Sequence, residues 1–181
     1  MTMTDKKLTA REALARLEKL SNATITATSP QGRVKVAMTG TAYTVLLRPA
    51  GFQSADPQAL ASEVVHAYAG VLRGYRQAEE AVMSEYDDVT PPNAGRGEEI
   101  LRERAKLAVA VVSPGRMVRG EWNGLDDITL RVQRVNDSHR AKLETELGYV
   151  LTELSERYGA AVRDILRRIL VDTVRRAGSG M

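Results

Sequence analysis

Leu8, Leu14, Leu17 and Leu20 recur at helical spacing with Lys and Glu between them, which predicts a short amphipathic helix over Thr9 to Ser21. After Asn22 the period changes to two. Ile25, then Val34, Val36 and Met38, then Tyr43, Val45 and Leu47 alternate with polar or small neighbours, the mark of half-buried strands. Turn residues at Pro30 to Gly32 and Gly40 to Ala42 divide this stretch into a three-stranded antiparallel meander. A loop over Pro49 to Ala55 leads to Asp56-Pro57, a capping residue followed by proline at the first helical position. The apolar stripe Leu60, Val64, Tyr68, Val71, Leu72, Tyr75, Val82 and Met83 then predicts one helix to about Tyr86. A helix of about 30 residues is ~45 Å long at ~1.5 Å per residue, too long for three short strands, so part of its stripe must cover something else.

The same order then recurs. Thr90 to Gly97, with two prolines and two glycines, reads as a linker. Beyond it come a short helix over Glu98 to Lys106 and a strand over Leu107 to Val112 that matches Ala23 to Thr28. SPGRMVRGEWNG at 113–124 matches SPQGRVKVAMTG at 29–40, a separation of 84, with Asn123-Gly124 a hairpin signal. Ile128, Leu130 and Val132 match Tyr43, Val45 and Leu47 with one residue inserted. Leu143, Leu147, Leu151, Leu154, Tyr158, Ile165 and Leu166 repeat the long-helix stripe at a separation of 83. The predicted fold is α+β, a tandem repeat of a unit made of a helix, a three-stranded antiparallel meander and a long helix. Its parts are residues 1–89, a linker at 90–97 and a divergent second copy at 98–181.

With 43% hydrophobic residues the chain can bury a core, but one Trp and one Phe leave that core to aliphatic side chains. No cysteine is present, so neither a disulfide framework nor thiol chemistry is open to it. No window has the apolar length of a signal-peptide core or a membrane span, and the expectation is a soluble, cytoplasmic protein. The net charge of +3 arises entirely after Gly95: ten Lys/Arg against ten Asp/Glu precede it, and sixteen against thirteen follow. From Arg157 onward six arginines face only Asp164 and Asp172. Arginine repeated along a helix is the footprint of a phosphate-binding surface. It also fits a solvated helix end whose cations complement the helix dipole.

SPQGRVKVAMTG, YTVLLRP and DPQALASEVVHAYAGVLRGYRQAEEAVM together resemble the YbaB/EbfC family of bacterial nucleoid-associated proteins. The resemblance covers about Thr9 to Tyr86 and, more loosely, Glu98 to Ala177. Arg48 stands where the family usually has an acidic residue before the Pro that ends the third strand, and the second copy reads VQRVND there, without Pro. Family members are single copies that pair as tight homodimers, so two copies in one chain imply an intramolecular pseudo-dimer and leave further dimerisation open.

The resemblance implies nucleoid-associated binding of duplex DNA with little sequence specificity and no enzyme activity. The residues expected to meet phosphates are Arg163, Arg167, Arg168, Arg175 and Arg176 on the second long helix, with Arg73 and Arg76 on the first. Arg33, Lys35, Arg116 and Arg119 on the sheets form a second tier. Specificity would have to come from DNA shape, because no base-reading motif is present. Actinobacterial relatives associated with type VII secretion suggest the alternative of a protein-interaction or chaperone-like adaptor, which the near-neutral first copy and its acidic helix end at Glu79, Glu80, Glu85, Asp87 and Asp88 fit. Enzyme chemistry has little to start from: His66 and His139 lack metal-ligand spacing, Ser29 and Ser113 lie in turns without a nucleophile-elbow pattern, and no cofactor or metal is expected. Trp122 is expected in the core or at the interface between the copies.

Overall fold

The computed structural model of the chain describes residues 8–49, 52, 56–85, 96–133 and 137–178; at Asp137, Leu170 and 172–178 the description is of the backbone alone. The elements are α1 (Ala10–Ser21), β1 (Thr24–Thr28), β2 (Val34–Thr39), β3 (Ala42–Leu47), α2 (Pro57–Ser84), α3 (Gly97–Arg104), β4 (Ala108–Val112), β5 (Val118–Asn123), β6 (Asp127–Val132), a 3-10 turn (Asp137–His139) and α4 (Arg140–Gly178). The unit of helix, meander and long helix is present twice. Residues 90–95 of the predicted linker lie outside the described residues, while Arg96 stands at the N-cap position of α3 without a side-chain cap and Gly97 begins the helix.

Local signals account for the helix starts. Thr9 closes a capping box with Glu12 on α1, and Asp56 accepts the Ala59 N–H ahead of Pro57 on α2. The leucine stripe expected on α1 is corrected. Leu14 is 67% exposed, Leu17 and Leu20 are half-buried, and the buried residue is Ala13. The helix lies against α2, tied by Leu8 N–H to the Glu85 carbonyl and by an Arg16–Glu85 ion pair. A small residue at the contact lets two helices approach closely, and leucine spacing alone does not reveal that.

Both sheets are antiparallel meanders, β1-β2-β3 and β4-β5-β6. In the first, Val34, Val36 and Met38 pair with Leu47, Val45 and Tyr43, and all six are buried on one face. In the second, Val118 and Trp122 pair with Val132 and Ile128. The residue inserted in the second copy lies in the β5–β6 turn, where Gly124, Leu125 and Asp126 replace the two-residue turn Gly40-Thr41.

The Ser-Pro repeat has a structural cause. Ser29 Oγ accepts the Val34 N–H at 3.1 Å and donates to Glu63 of α2 at 2.8 Å; Arg33 Nε donates to the same carboxylate at 2.7 Å. Ser113 Oγ likewise accepts the Val118 N–H at 3.1 Å, and Glu146 of α4 accepts the Gly115 N–H. Among the described residues the buried polar ones are Ser29, Glu63, Ser113 and Glu146. Each long helix is thus pinned to the first turn of its own meander by a buried carboxylate whose hydrogen bonds compensate its desolvation. The third residue after each serine is left-handed: Gly32 (φ +70°) in the first copy, Arg116 (φ +56°) in the second. A side chain there costs about 1–2 kcal/mol.

The long helices cross between the copies. α2 covers β1 and β2 of its own sheet and then β6 of the other, while α4 covers β4, β5 and β3. The core is correspondingly one cluster that runs through both copies, so the chain is its own pseudo-dimer. The free edge of β3 shows how closely α4 fits. Tyr43 N–H donates to Thr152 Oγ1 at 2.9 Å and Leu47 N–H to Glu144 at 2.7 Å. Four strand residues span ~14 Å and eight helical residues ~12 Å, so positions 144 and 152 meet alternate N–H groups of the edge. Gly148 lies between them, and a Cβ there would stand 2.9 Å from the Tyr43 carbonyl oxygen. The positions 83 residues earlier on α2 are Ala61, Val65 and Ala69, which have no side-chain hydrogen-bonding group.

Two glycines of α4 predict opposite outcomes. Gly148→Val pushes the helix off a backbone edge that cannot yield and lowers unfolding stability by roughly 1–3 kcal/mol. Gly159→Ala meets only the far end of Arg163, at 3.4 Å, and raises stability by up to about 1 kcal/mol through helix propensity. Urea unfolding of both variants checks the pair.

Candidate functional site: an aromatic seam, an open cleft and the arginine-bearing helix

Four aromatic rings mark the line where the copies meet. Tyr43 of β3 meets Tyr68 of α2 edge-on at 5.0 Å, Tyr68 meets Trp122 of β5 at 6.2 Å, and Trp122 stacks on Tyr158 of α4 at 4.0 Å with planes 3° apart. The polar tips are satisfied: Tyr68 OH bonds Ser155 Oγ at 2.5 Å, Trp122 Nε1 donates to the Leu125 carbonyl at 3.2 Å, and Tyr158 OH donates to the Gly124 carbonyl at 2.9 Å. Arg104 of α3 donates to Tyr158 OH at 3.3 Å and lies 5.8 Å from the ring centre. Trp122 therefore belongs to the seam between the copies, as expected from its alternation with Val118.

An open cleft of ≈1020 Å³ adjoins this seam, between the turn end of β2–β3, α2 and α4. Met38, Leu72, Tyr75 and Trp122 give it apolar walls, and Glu153, Glu156, Arg157 and Arg163 line it along α4. The residue pattern does not predict the cleft, which depends on side chains from both copies. The one signal for it in the sequence is that Met38 stands at the repeat position of Trp122.

The arginines sort into two groups. Three near the sheets are engaged: Arg33 by Glu63, Arg140 by the Leu47 carbonyl, and Arg157 by Glu153 and the Ala110 carbonyl. Arg33 is thereby removed from the second tier of phosphate contacts, and Arg119 is paired with Glu121 at 2.9 Å; Lys35 and Arg116 are exposed. Arg163, Arg167 and Arg168 of α4 are exposed. Arg163 makes no ion pair among the described residues, and Arg167 reaches Asp164 at only 3.8 Å with both side chains more than 70% exposed. Arg168 is exposed and helps hold the Glu103 carboxyl below its usual range, the main cause being the Lys106 hydrogen bond. Arg175 and Arg176 lie on α4, but their side chains fall outside the described residues. On α2, Arg73 is exposed and Arg76 meets Asp126 of the β5–β6 turn at 3.6 Å. Arg163 and Arg167 are thus one turn apart on α4, while Arg76 is directed to the second sheet rather than toward them.

Among the described residues no three His, Asp or Glu side chains are placed to hold a metal ion, and no helix is long and apolar enough to cross a membrane.

Burial holds the phenols of Tyr43 and Tyr68 above the ordinary tyrosine value of 10.0, with the neighbouring Tyr43 phenol adding to the rise at Tyr68. In the unfolded chain both ionise near that value, so the stability linked to them is present below about pH 10 and is lost as pH rises above it. Urea midpoints that fall between about pH 9 and about pH 11, and fall less in Tyr68→Phe, are the expected result. No family model, curated protein or solved structure matches the chain.

Proposed function

We propose that the protein binds duplex DNA non-enzymatically and with low sequence specificity, in the manner of the nucleoid-associated proteins it resembles, through the exposed arginines of α4. The observation that carries this reading is the division of the arginines. Arg33, Arg140 and Arg157, near the sheets, are held by carboxylate or backbone partners, whereas Arg163, Arg167 and Arg168 are exposed, and the Arg167–Asp164 pair is too solvated to hold a side chain in place. Cations without a structural partner are free to replace the counterions of a phosphate backbone. With 39 residues against 28, α4 is the longer arm, and Arg175 and Arg176 lie on the same helix.

A second reading, a protein-binding adaptor, is favoured by the outer face of the first sheet. Thr24, Thr26, Thr28, Ala37, Thr44 and the 57% exposed Leu46 occupy it with Lys35 as its one charged residue. The matching face of the second sheet carries Arg119, Glu121, Asp127 and Arg131. A sheet face with a single charge beside a highly charged copy of itself fits a protein contact better than a phosphate backbone.

Fluorescence anisotropy of a labelled duplex of about 30 base pairs at three salt concentrations separates the two. DNA binding gives log affinity falling linearly with log salt, and changing Arg163, Arg167 and Arg168 to Ala lowers that slope by about 2.7, about 0.9 for each phosphate that is no longer neutralised. No binding at the lowest salt removes the DNA reading. An unchanged slope in the triple variant removes these arginines from it.

A further inference from the structure

We propose that the cleft beside the seam is a binding site for a small planar aromatic acid, with its ring stacked on Tyr75 and its acidic group at Arg163. The second copy shows what the same corner looks like when filled. There Trp122 stacks on Tyr158, and Tyr158 OH closes onto the carbonyl of the turn glycine, Gly124. The corresponding residues of the first copy are Met38, Tyr75 and Gly40. Methionine supplies no ring, and among the described residues Tyr75 has neither a ring partner nor a hydrogen bond for its hydroxyl. The two copies therefore differ by one missing ring, and the cleft is open where that ring would lie.

Size and charge define the ligand. At ≈1020 Å³ the cleft is at the upper end of the roughly 300–1,000 Å³ that small-molecule sites occupy, so a substituted ring fits within it. Glu153 and Arg157 neutralise each other at 3.1 Å. Glu156 accepts from the Thr41 hydroxyl at 3.4 Å, on the hairpin side. Arg163 is left without an ionic partner among the described residues, two helical turns and ~10.5 Å beyond Glu156. Its Nη1 lies 3.4 Å from the place a Cβ on Gly159 would take, so the guanidinium folds back toward Gly159, which lines the cleft. An aromatic ring against Tyr75 with a carboxylate, sulfonate or phosphate directed to Arg163 satisfies both features. This site does not depend on DNA binding.

Anilinonaphthalene sulfonate is a suitable probe, because Trp122, the single tryptophan, lines the cleft and transfers excitation to it. The expected result is saturable binding of one probe per chain, displaced by indole-3-acetate and not by neutral indole at equal concentration. Met38→Trp places in the first copy the ring that the second already has and abolishes the binding, measured by calorimetry. Arg163→Gln weakens it about ten-fold, the effect of removing one charge-assisted hydrogen bond, and Tyr75→Ala weakens it without altering the far-ultraviolet circular dichroism. Absence of saturable binding overturns the proposal, as does equal affinity in Arg163→Gln and Tyr75→Ala to that of the unaltered protein.

Discussion

The third strand of each meander has no cover within its own copy, and the molecule is organised around that constraint. β3 is covered by α4 and β6 by α2, so neither copy can bury its apolar face alone. An uncovered strand also presents a row of free N–H and C=O groups on which another chain could pair. Here α4 closes the β3 edge with Thr152 and Glu144 and comes close enough at Gly148 to touch its backbone. The single core through both copies and the seam of aromatic rings follow from this crossing. The Ser29–Glu63 and Gly115–Glu146 hydrogen bonds fix each helix to its own sheet before it crosses to the other.

The two halves repeat one plan and have diverged where the plan allows it. A glycine is left-handed at Gly32, and Arg116 holds the same conformation in the second copy. Polar groups of α4 close the β3 edge, while the positions 83 residues earlier on α2 are apolar. Trp122 and Tyr158 fill a corner that Met38 and Tyr75 leave open. These differences, rather than the shared plan, produce the cleft, the weakly charged face of the first sheet and the exposed arginines of the longer helix. A homodimer of single copies would make them twice; a tandem chain can make each once.

Much of the fold was legible in the residues because its determinants are periodic. The period of two at Val34, Val36 and Met38 marked the strands, and the repeat spacing of the long-helix stripe exposed the duplication. The excess length of α2 over three strands indicated that the helix must reach beyond its own sheet. What was not legible depends on contact rather than period. Ala13, not the leucines, buries α1, because closeness to α2 selects a small residue. Glu63 and Glu146 are an instance where the signal was present, two acids at the repeat spacing inside apolar stripes, yet their partners are residues 34 and 31 positions away. The fate of Arg33 and the openness of the cleft follow from such contacts and could not be read from charge or spacing.

The crossing of the long helices is tested most directly by dividing the chain. Residues 1–89 and 90–181, produced as separate polypeptides and examined by circular dichroism and light scattering, should each fail to give a folded monomer. Mixed, they should assemble one-to-one with the secondary structure of the intact protein. A stable, folded monomer from either half alone would contradict the account, because it would show that a copy can cover its third strand without the other.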